Sequence, residues 1–367
     1  MLYLDFETRS AVDIKKSGAE VYARHPSTEI MCVGIAENED PAFVFLPKLI
    51  PAKWLHRIHE GETVVAHNAA FELAIFNHAC GKYDFPYLKP EQTVCTLAMS
   101  YAMALPGALA DAAPAMGMTN VKDAAGHRTM LQLSQPRKVI EKGCIFCAGE
   151  GCVTCYQSGH QYDWYTPEDS PEKFQQLYDY CAQDIEVERG LYKRLVKLSQ
   201  KEQEIYLLDR KINDRGVRVD LKAVKAAISI VELEQSEANA KMREVTKNAV
   251  ATTTATGQLT EWINQRGVEC KGVAKADVAD LLQTKLPFDV REALLIRQSA
   301  SKSSTAKLKA MVARTCEDGH LRGAFQYHGA GATGRFAGRG VNLQNLKRST
   351  VSQEDIEGVF SVLERTG

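Results

Sequence analysis

Leu2-Tyr3-Leu4-Asp5-Phe6-Glu7-Thr8 is the stretch that decides the fold. An apolar run opening at Met1 passes straight into two carboxylates two residues apart, the pattern of a buried strand with a polar end. Side chains alternate along a strand, so Asp5 and Glu7 project from the same face. Carboxylates so placed repel each other unless a cation lies between them. Taken alone, the spacing is common and fits a polar strand end equally well. Outward from it, a second apolar run over 30–36 meets the acidic turn Glu37-Asn38-Glu39-Asp40, and a third over 42–46 stops at Pro47. A short helix over 53–60 and a fourth strand over 63–66 follow. Beyond Asn68 the period becomes helical through Phe71, Leu73, Ala74 and Phe76. The expected class is α/β, a mixed sheet flanked by helices.

Gly, Cys and polar residues break this pattern over 141–160, which reads as an insertion. Helical periodicity resumes at Pro171 and runs to 198. Ile205, Leu208 and Ile212 then share one face of a further helix stopped by Arg215-Gly216. Asp220 caps the next, in which Leu221, Val224, Ile228 and Val231 recur. The threonine-rich 252–256 is a loop, short helices continue to about 314, and from Gly319 onward periodicity is lost as Gly and Arg become dense. The expected divisions are 1–197, a mostly helical 198–315, and 316–367.

A chain of 367 residues, 45% hydrophobic and 25% charged, is long enough for two or three folded domains and is neither disordered nor fibrous. No apolar run approaches the roughly 18 residues of a membrane helix, and no signal-peptide pattern opens the chain. The reading is cytoplasmic. The net charge of −1 hides an asymmetry: between 293 and 353 ten Lys or Arg accompany two acids, +8 there and −9 elsewhere. Phosphate contacts call for such a block, although a solvated basic face would look the same.

Two further motifs raise the weight of Asp5 and Glu7. The segment Ala66-His67-Asn68-Ala69-Ala70-Phe71-Glu72 joins a strand to a helix and ends in a carboxylate. Tyr180-Cys181-Ala182-Gln183-Asp184 places a phenol and a carboxylate at i and i+4 of one helical face. Carboxylates converging from three elements are what a two-metal phosphodiester hydrolase requires, with Mg²⁺ or Mn²⁺ suited to oxygen ligands. A tyrosine one turn before Asp184 is placed to orient the attacking water.

In these motifs the chain resembles the proofreading exonuclease domain of phage-type family-A DNA polymerases, of the DEDD class with tyrosine in its third motif. The resemblance implies an RNase H-like exonuclease domain over 1–197, with Asp5, Glu7, Glu72, Tyr180 and Asp184 catalytic and Asp5, Glu7 and Asp184 holding the ions. Glu72 departs from the family, which has Asp there; one more methylene still lets it reach a metal-bound water. The tract Lys122-Asp123-Ala124-Ala125-Gly126 is similar to these enzymes, with no mechanism attached to it. Asn68 and Phe71 are placed to hold the 3′-terminal nucleotides, by hydrogen bonding and stacking, or else to serve as helix cap and core.

Four of the ten cysteines cluster as Cys144-Ile-Phe-Cys147 and Cys152-Val-Thr-Cys155. Two adjacent C-x-x-C knuckles make a tetrahedral four-cysteine site, with Gly149 and Gly151 letting the loop fold back. Structural zinc is expected and an iron–sulfur cluster is the alternative. The scattered Cys32, Cys80, Cys95, Cys181, Cys270 and Cys316 read as reduced core thiols.

Residues 198–315 resemble the thumb of the same polymerases. Gln326-Tyr327-His328-Gly329-Ala330, Thr333-Gly334-Arg335 and Asn342-Leu343-Gln344-Asn345 resemble the start of the palm. The implied DNA contacts are Lys302, Lys307, Thr333, Arg335, Arg339, Gln344 and Asn345, and the implied partner is DNA, as single-stranded 3′ ends and primer–template. Fingers and palm catalytic motifs are not in the sequence, so no nucleotide incorporation is expected from this chain alone; the readings are a truncated product, an interrupted gene, or one half of a split polymerase completed by a separate palm and fingers chain. The competing readings are an exoribonuclease and a DNA-binding half-polymerase without nuclease activity.

Overall fold

β1 (Leu2–Arg9) is the middle strand of a five-stranded sheet ordered β3-β2-β1-β4-β5. β2 (Glu29–Glu37) lies antiparallel to it and carries β3 (Phe43–Phe45) antiparallel at the edge. On the other side β4 (Val64–Ala66) and β5 (Thr93–Cys95) run parallel. The mixed sheet is thus observed, with each expected strand within two residues of its place. The computed structural model describes residues 1–119, 123–156, 158–300, 306–331, 333–346 and 351–366, without the side chains of 154 and 363–366. The chain divides into two compact units, Met1–Arg218 with Ala313–Lys347, and Val219–Val312 with Arg348–Gly367.

Between the strands lie α1 (Ile14–Arg24), α2 (Ala52–His59) and α3 (Ala69–Ala74). After β5 come α4 (Thr96–Ala102), α5 (Leu109–Ala115), α6 (Ala124–Leu133), the hairpin β6 (Lys138–Ile140) and β7 (Gln161–Asp163), and α7 (Pro171–Arg194). Alternation along β1 sends Leu2, Leu4 and Phe6 into a core with Tyr22, Trp54, Ile58, Leu73 and Phe76. Full burial of each aliphatic chain there contributes roughly 1.5–3 kcal/mol. Tyr3, Asp5 and Glu7 take the opposite face, where Tyr3 packs with Ile185 of α7. The fold therefore turns the carboxylates toward α7.

Three expectations are corrected in detail. The helix from Pro171 ends at Arg194, because Leu195 is extended, and α8 (Gln200–Arg215) starts afresh with Ser199 Oγ accepting from Glu202 N at 3.3 Å. The inward face of α8 is Tyr206, Asp209 and Asn213, while Leu208 is 54% exposed. Asn213 earns its burial by bonding both the amide and the carbonyl of Phe325, each at 2.9 Å. The glycine- and arginine-rich stretch is also structured. β8 (Val217–Arg218) pairs with β9 (His320–Leu321), and β10 (Phe325–Ala330) with β11 (Arg335–Gly338), both antiparallel.

The second unit has its own core. α9 (Leu221–Val245) begins under Asp220, whose carboxylate accepts from Ala223 N at 2.9 Å. It packs through Met242 with Leu259 and Trp262 of α10 (Thr256–Gln265), Val278 of α11 (Lys275–Leu282), and Val290 and Leu294 of α12 (Phe288–Ala300). α13 (Ala306–Arg314) and α14 (Gln353–Thr366) complete the helices. Among the described residues no helix is long and apolar enough to cross a membrane.

Candidate active site

Asp5 pairs with Gly34 and Glu7 with Cys32 across β1 and β2, and a bulge between Glu7 and Thr8 ends the alternation. Gly34 is a packing requirement. A Cβ there would stand 2.9 Å from Cys181 Sγ and 2.9 Å from Ile185 Cγ1, so only glycine lets α7 lie directly on the sheet. α7 consequently brings Tyr180, Cys181, Asp184 and Glu188 over the carboxylate face. Cys181 Sγ lies 3.9 Å from Asp5 Oδ2, and donor atoms of Asp5, Glu7 and Cys181 all fall within 4.8 Å of one another.

Glu72 comes in from α3, 3% exposed, with Oε2 lacking a hydrogen-bond partner. Burial, and then the charge of Asp5, push its carboxyl well above the ordinary range. Glu188 is 2% exposed and its Oε1 also lacks a partner. It is pushed up by burial first, then by Asp5, Cys95 and Asp184. Asp184 itself is 6% exposed. Buried carboxylate oxygens without partners are rare, because each forgoes its solvation. Two of them near enough to Asp5 to feel its charge form an environment that a cation would satisfy.

Tyr180 is 1% exposed, and burial, then Asp184, Glu7 and Asp5, raise its phenol far above its usual value. It remains a proton donor, with its oxygen 3.3 Å from His127 Nδ1. The tract around Asp123 now has a mechanism. Asp123 caps α6, accepting from Ala125 N at 2.9 Å and Gly126 N at 2.8 Å. Gly126 then leaves room for the Tyr180 ring, which a Cβ would approach to 2.7 Å. Lys122 lies outside the described residues.

Asn68 occupies the N-cap position of α3 in the left-handed region (φ 72°), without a capping bond from its side chain. Its neighbour His67 fixes the joint, bonding Thr96 Oγ1 at 2.9 Å and the Gly107 carbonyl at 2.8 Å. Phe71 is partly buried against Tyr22, with ring centroids 6.3 Å apart. Asn68 also lines a cleft of about 500 Å³ with Arg314, Arg322, Tyr327 and Arg339. Thr333 sits in the β10–β11 turn; Arg335 and Arg339 are exposed, as are Gln344 and Asn345 on the turn Leu343–Asn345. Lys307 belongs to α13 in the second unit, and Lys302 lies outside the described residues.

The four cysteines form a separate centre between β6 and β7. Sγ of Cys144 and Cys152 are 3.8 Å apart, Cys147 and Cys155 3.7 Å, and Cys152 and Cys155 3.7 Å. A single tetrahedral ion with bonds of 2.3 Å to sulfur holds its ligands about 3.8 Å apart. A multi-iron cluster shares the four thiolates among two or more irons, so thiolates on different irons stand further apart. Amides of Gly151, Cys152 and Gly159 point at the sulfurs. Although burial opposes it, the amides of Cys152 and Gly159 bring the Cys155 thiol down to about 6. The geometry fits zinc.

Reading the sequence missed Glu188 and Cys181. Glu188 continues the Tyr180–Asp184 stripe by one more turn, a signal hidden because Glu186-Val187-Glu188-Arg189 resembles a solvated helix face.

No family model matches the chain. It is 31% identical over 368 residues to a DNA polymerase of Bacillus phage SP02, covering 99% of this chain and 53% of that protein. The chain thus spans about half the length of that curated relative. Among solved structures, the POL domain of Pol1 from M. smegmatis, in complex with DNA primer–template and dNTP, matches with a TM-score of 0.49 at 13% identity, covering 95% of this chain and 52% of that one.

Proposed function

We infer that this polymerase-related chain carries a metal-dependent 3′→5′ exonuclease acting on DNA, the proofreading module of a family-A DNA polymerase. The observation that carries the reading is the convergence on Asp5. Glu72 from α3 and Glu188 from α7 both feel its charge, and each keeps a buried oxygen without a partner. The sheet order β3-β2-β1-β4-β5, with three antiparallel strands followed by two parallel ones, supports an RNase H-like domain.

Two Mg²⁺ or Mn²⁺ ions held by Asp5, Glu7 and Asp184 would supply an activated water and a counter-charge for the leaving oxygen. The rest falls to the protein. Tyr180, kept protonated by its burial, donates to the attacking water and orients it. Glu72, brought near Asp5 by α3, adds a further carboxylate to the metal environment. Asn68 bonds the terminal nucleotide, and Phe71, only partly buried, stacks on it. The arginines of the cleft beside Asn68 and of the β10–β11 hairpin take the phosphates. Zinc in the four-cysteine centre staples the insertion and stays out of the chemistry, since four thiolates leave no open position.

The test is release of label from a 3′-labelled DNA oligonucleotide with Mg²⁺, with and without chelator. Asp5→Ala should abolish release while leaving DNA binding intact. A protein that binds DNA but frees no nucleotide with Mg²⁺ or Mn²⁺ would be a binding module, and digestion of RNA in preference to DNA would make it a ribonuclease.

A further inference from the structure

The carboxylate pair has a soft neighbour. Cys181 is fully buried between Tyr180 and Asp184 in sequence, its sulfur 3.9 Å from Asp5 Oδ2 and within 4.8 Å of a Glu7 oxygen. Its place is prepared by Gly34, whose missing Cβ would otherwise press on that sulfur at 2.9 Å. Mg²⁺ has little use for such a ligand, whereas zinc and its chemical relatives favour it. A tetrahedral ion with bonds of 2.3 Å to sulfur and 2.0–2.2 Å to oxygen holds S and O about 3.6 Å apart, close to the spacing observed. A second observation points to a ligand at the same place. Glu72, 3% exposed, keeps Oε2 without a partner and lies near enough to Asp5 to feel its charge.

We propose that Asp5, Glu7 and Cys181 form a mixed oxygen–sulfur site for a thiophilic divalent ion of the zinc class, which displaces the hard ion of hydrolysis and so inhibits the nuclease. The inference rests on the exonuclease reading and adds an inhibitory ion to it. The thiol gives its proton to solvent as the sulfur–metal bond forms, and Asp5 exchanges an S–H donor for the ion. This site is distinct from the four-cysteine centre, whose sulfurs lie against one another.

Cobalt(II) added to the zinc-loaded protein tests the site directly. The difference spectrum between wild type and Cys181→Ser cancels any contribution of the four-cysteine centre and should show a sulfur-to-cobalt charge-transfer band. In the same pair, with Mg²⁺ saturating, Cys181→Ser should need about tenfold or more additional zinc for half-inhibition. Cys181→Ala, with folding checked by thermal melting, repeats both measurements. Cobalt that supports hydrolysis without a difference band, or equal zinc sensitivity in wild type and both variants, overturns the inference and leaves the exonuclease standing. Cobalt that does not bind beyond the four-cysteine centre also overturns it, whereas only a failure to release nucleotide with Mg²⁺ or Mn²⁺ removes the exonuclease itself.

Discussion

Gly126 lies against Tyr180 so closely that a Cβ would come within 2.7 Å of Tyr180 Cβ and Cδ2, and within 2.6 Å of Asp123 Oδ2. The cap of α6 and the position of the phenol are thereby one arrangement. Gly126→Ala should cost about 1–3 kcal/mol through overpacking. Because the displaced group is Tyr180, the exonuclease rate should fall about tenfold or more with DNA affinity unchanged. Single-turnover rates beside a binding isotherm check this; lost stability at an unchanged rate would assign Gly126 to packing alone.

The buried acids make a pH prediction. Glu72 and Glu188 have folded pKa values well above 4.5, so the folded state holds protons that the unfolded chain has lost. Their contribution is complete below the unfolded pKa and is lost as pH rises toward the folded values. Without divalent ions, the melting temperature should fall as pH climbs from about 4.5. Glu188→Gln should flatten that slope, and Mg²⁺ should restore stability at neutral pH. A melting temperature indifferent to pH and to Mg²⁺ would contradict the placement of both acids.

Removing the metal from the four-cysteine centre should be local. Cys144→Ser with Cys147→Ser is expected to lose one equivalent of zinc by elemental analysis and to expose 141–160 to protease, with the main melting transition retained. Protein that purifies with zinc undiminished in the double variant would refute the assignment.

Arg335 is exposed on β11 and is read as a phosphate contact. Arg335→Ala should weaken binding about equally across DNA sequences and lower the slope of log affinity against log salt by about one. An unchanged slope would remove Arg335 from the DNA path.

The sheet could be read from the sequence because β1 opens on an unbroken apolar run and β2 is apolar almost throughout, and Asp5 and Glu7 stand out against that background. The cysteine knuckles were legible for a similar reason, since their ligands are near neighbours in the chain. Glu188 and Cys181 were not. Their meaning comes from α7 lying across β1, a contact more than 170 residues apart in sequence for Asp5 and Cys181. Gly34 was equally silent, because what it lacks matters only once Cys181 is opposite it. The β10–β11 hairpin escaped notice because its glycines and arginines carry no alternation of apolar and polar residues. For α8 the apolar residues misled: Tyr206 and Asn213 turn inward because Asn213 has a backbone to bond.

The hairpin that carries the cysteines has a consequence for how this chain could be altered. Lys138 is the direct partner of Asp163, so the insertion leaves and re-enters at neighbouring points, about 5 Å apart. Arg137 closes the base with a side-chain pair to Asp163 at 2.8 Å and a main-chain bond of 2.8 Å to the same residue. A segment anchored in this way is a cassette. A two-residue turn could replace it without stretching the chain, and a longer foreign loop could take its place while α6 and α7 keep their positions.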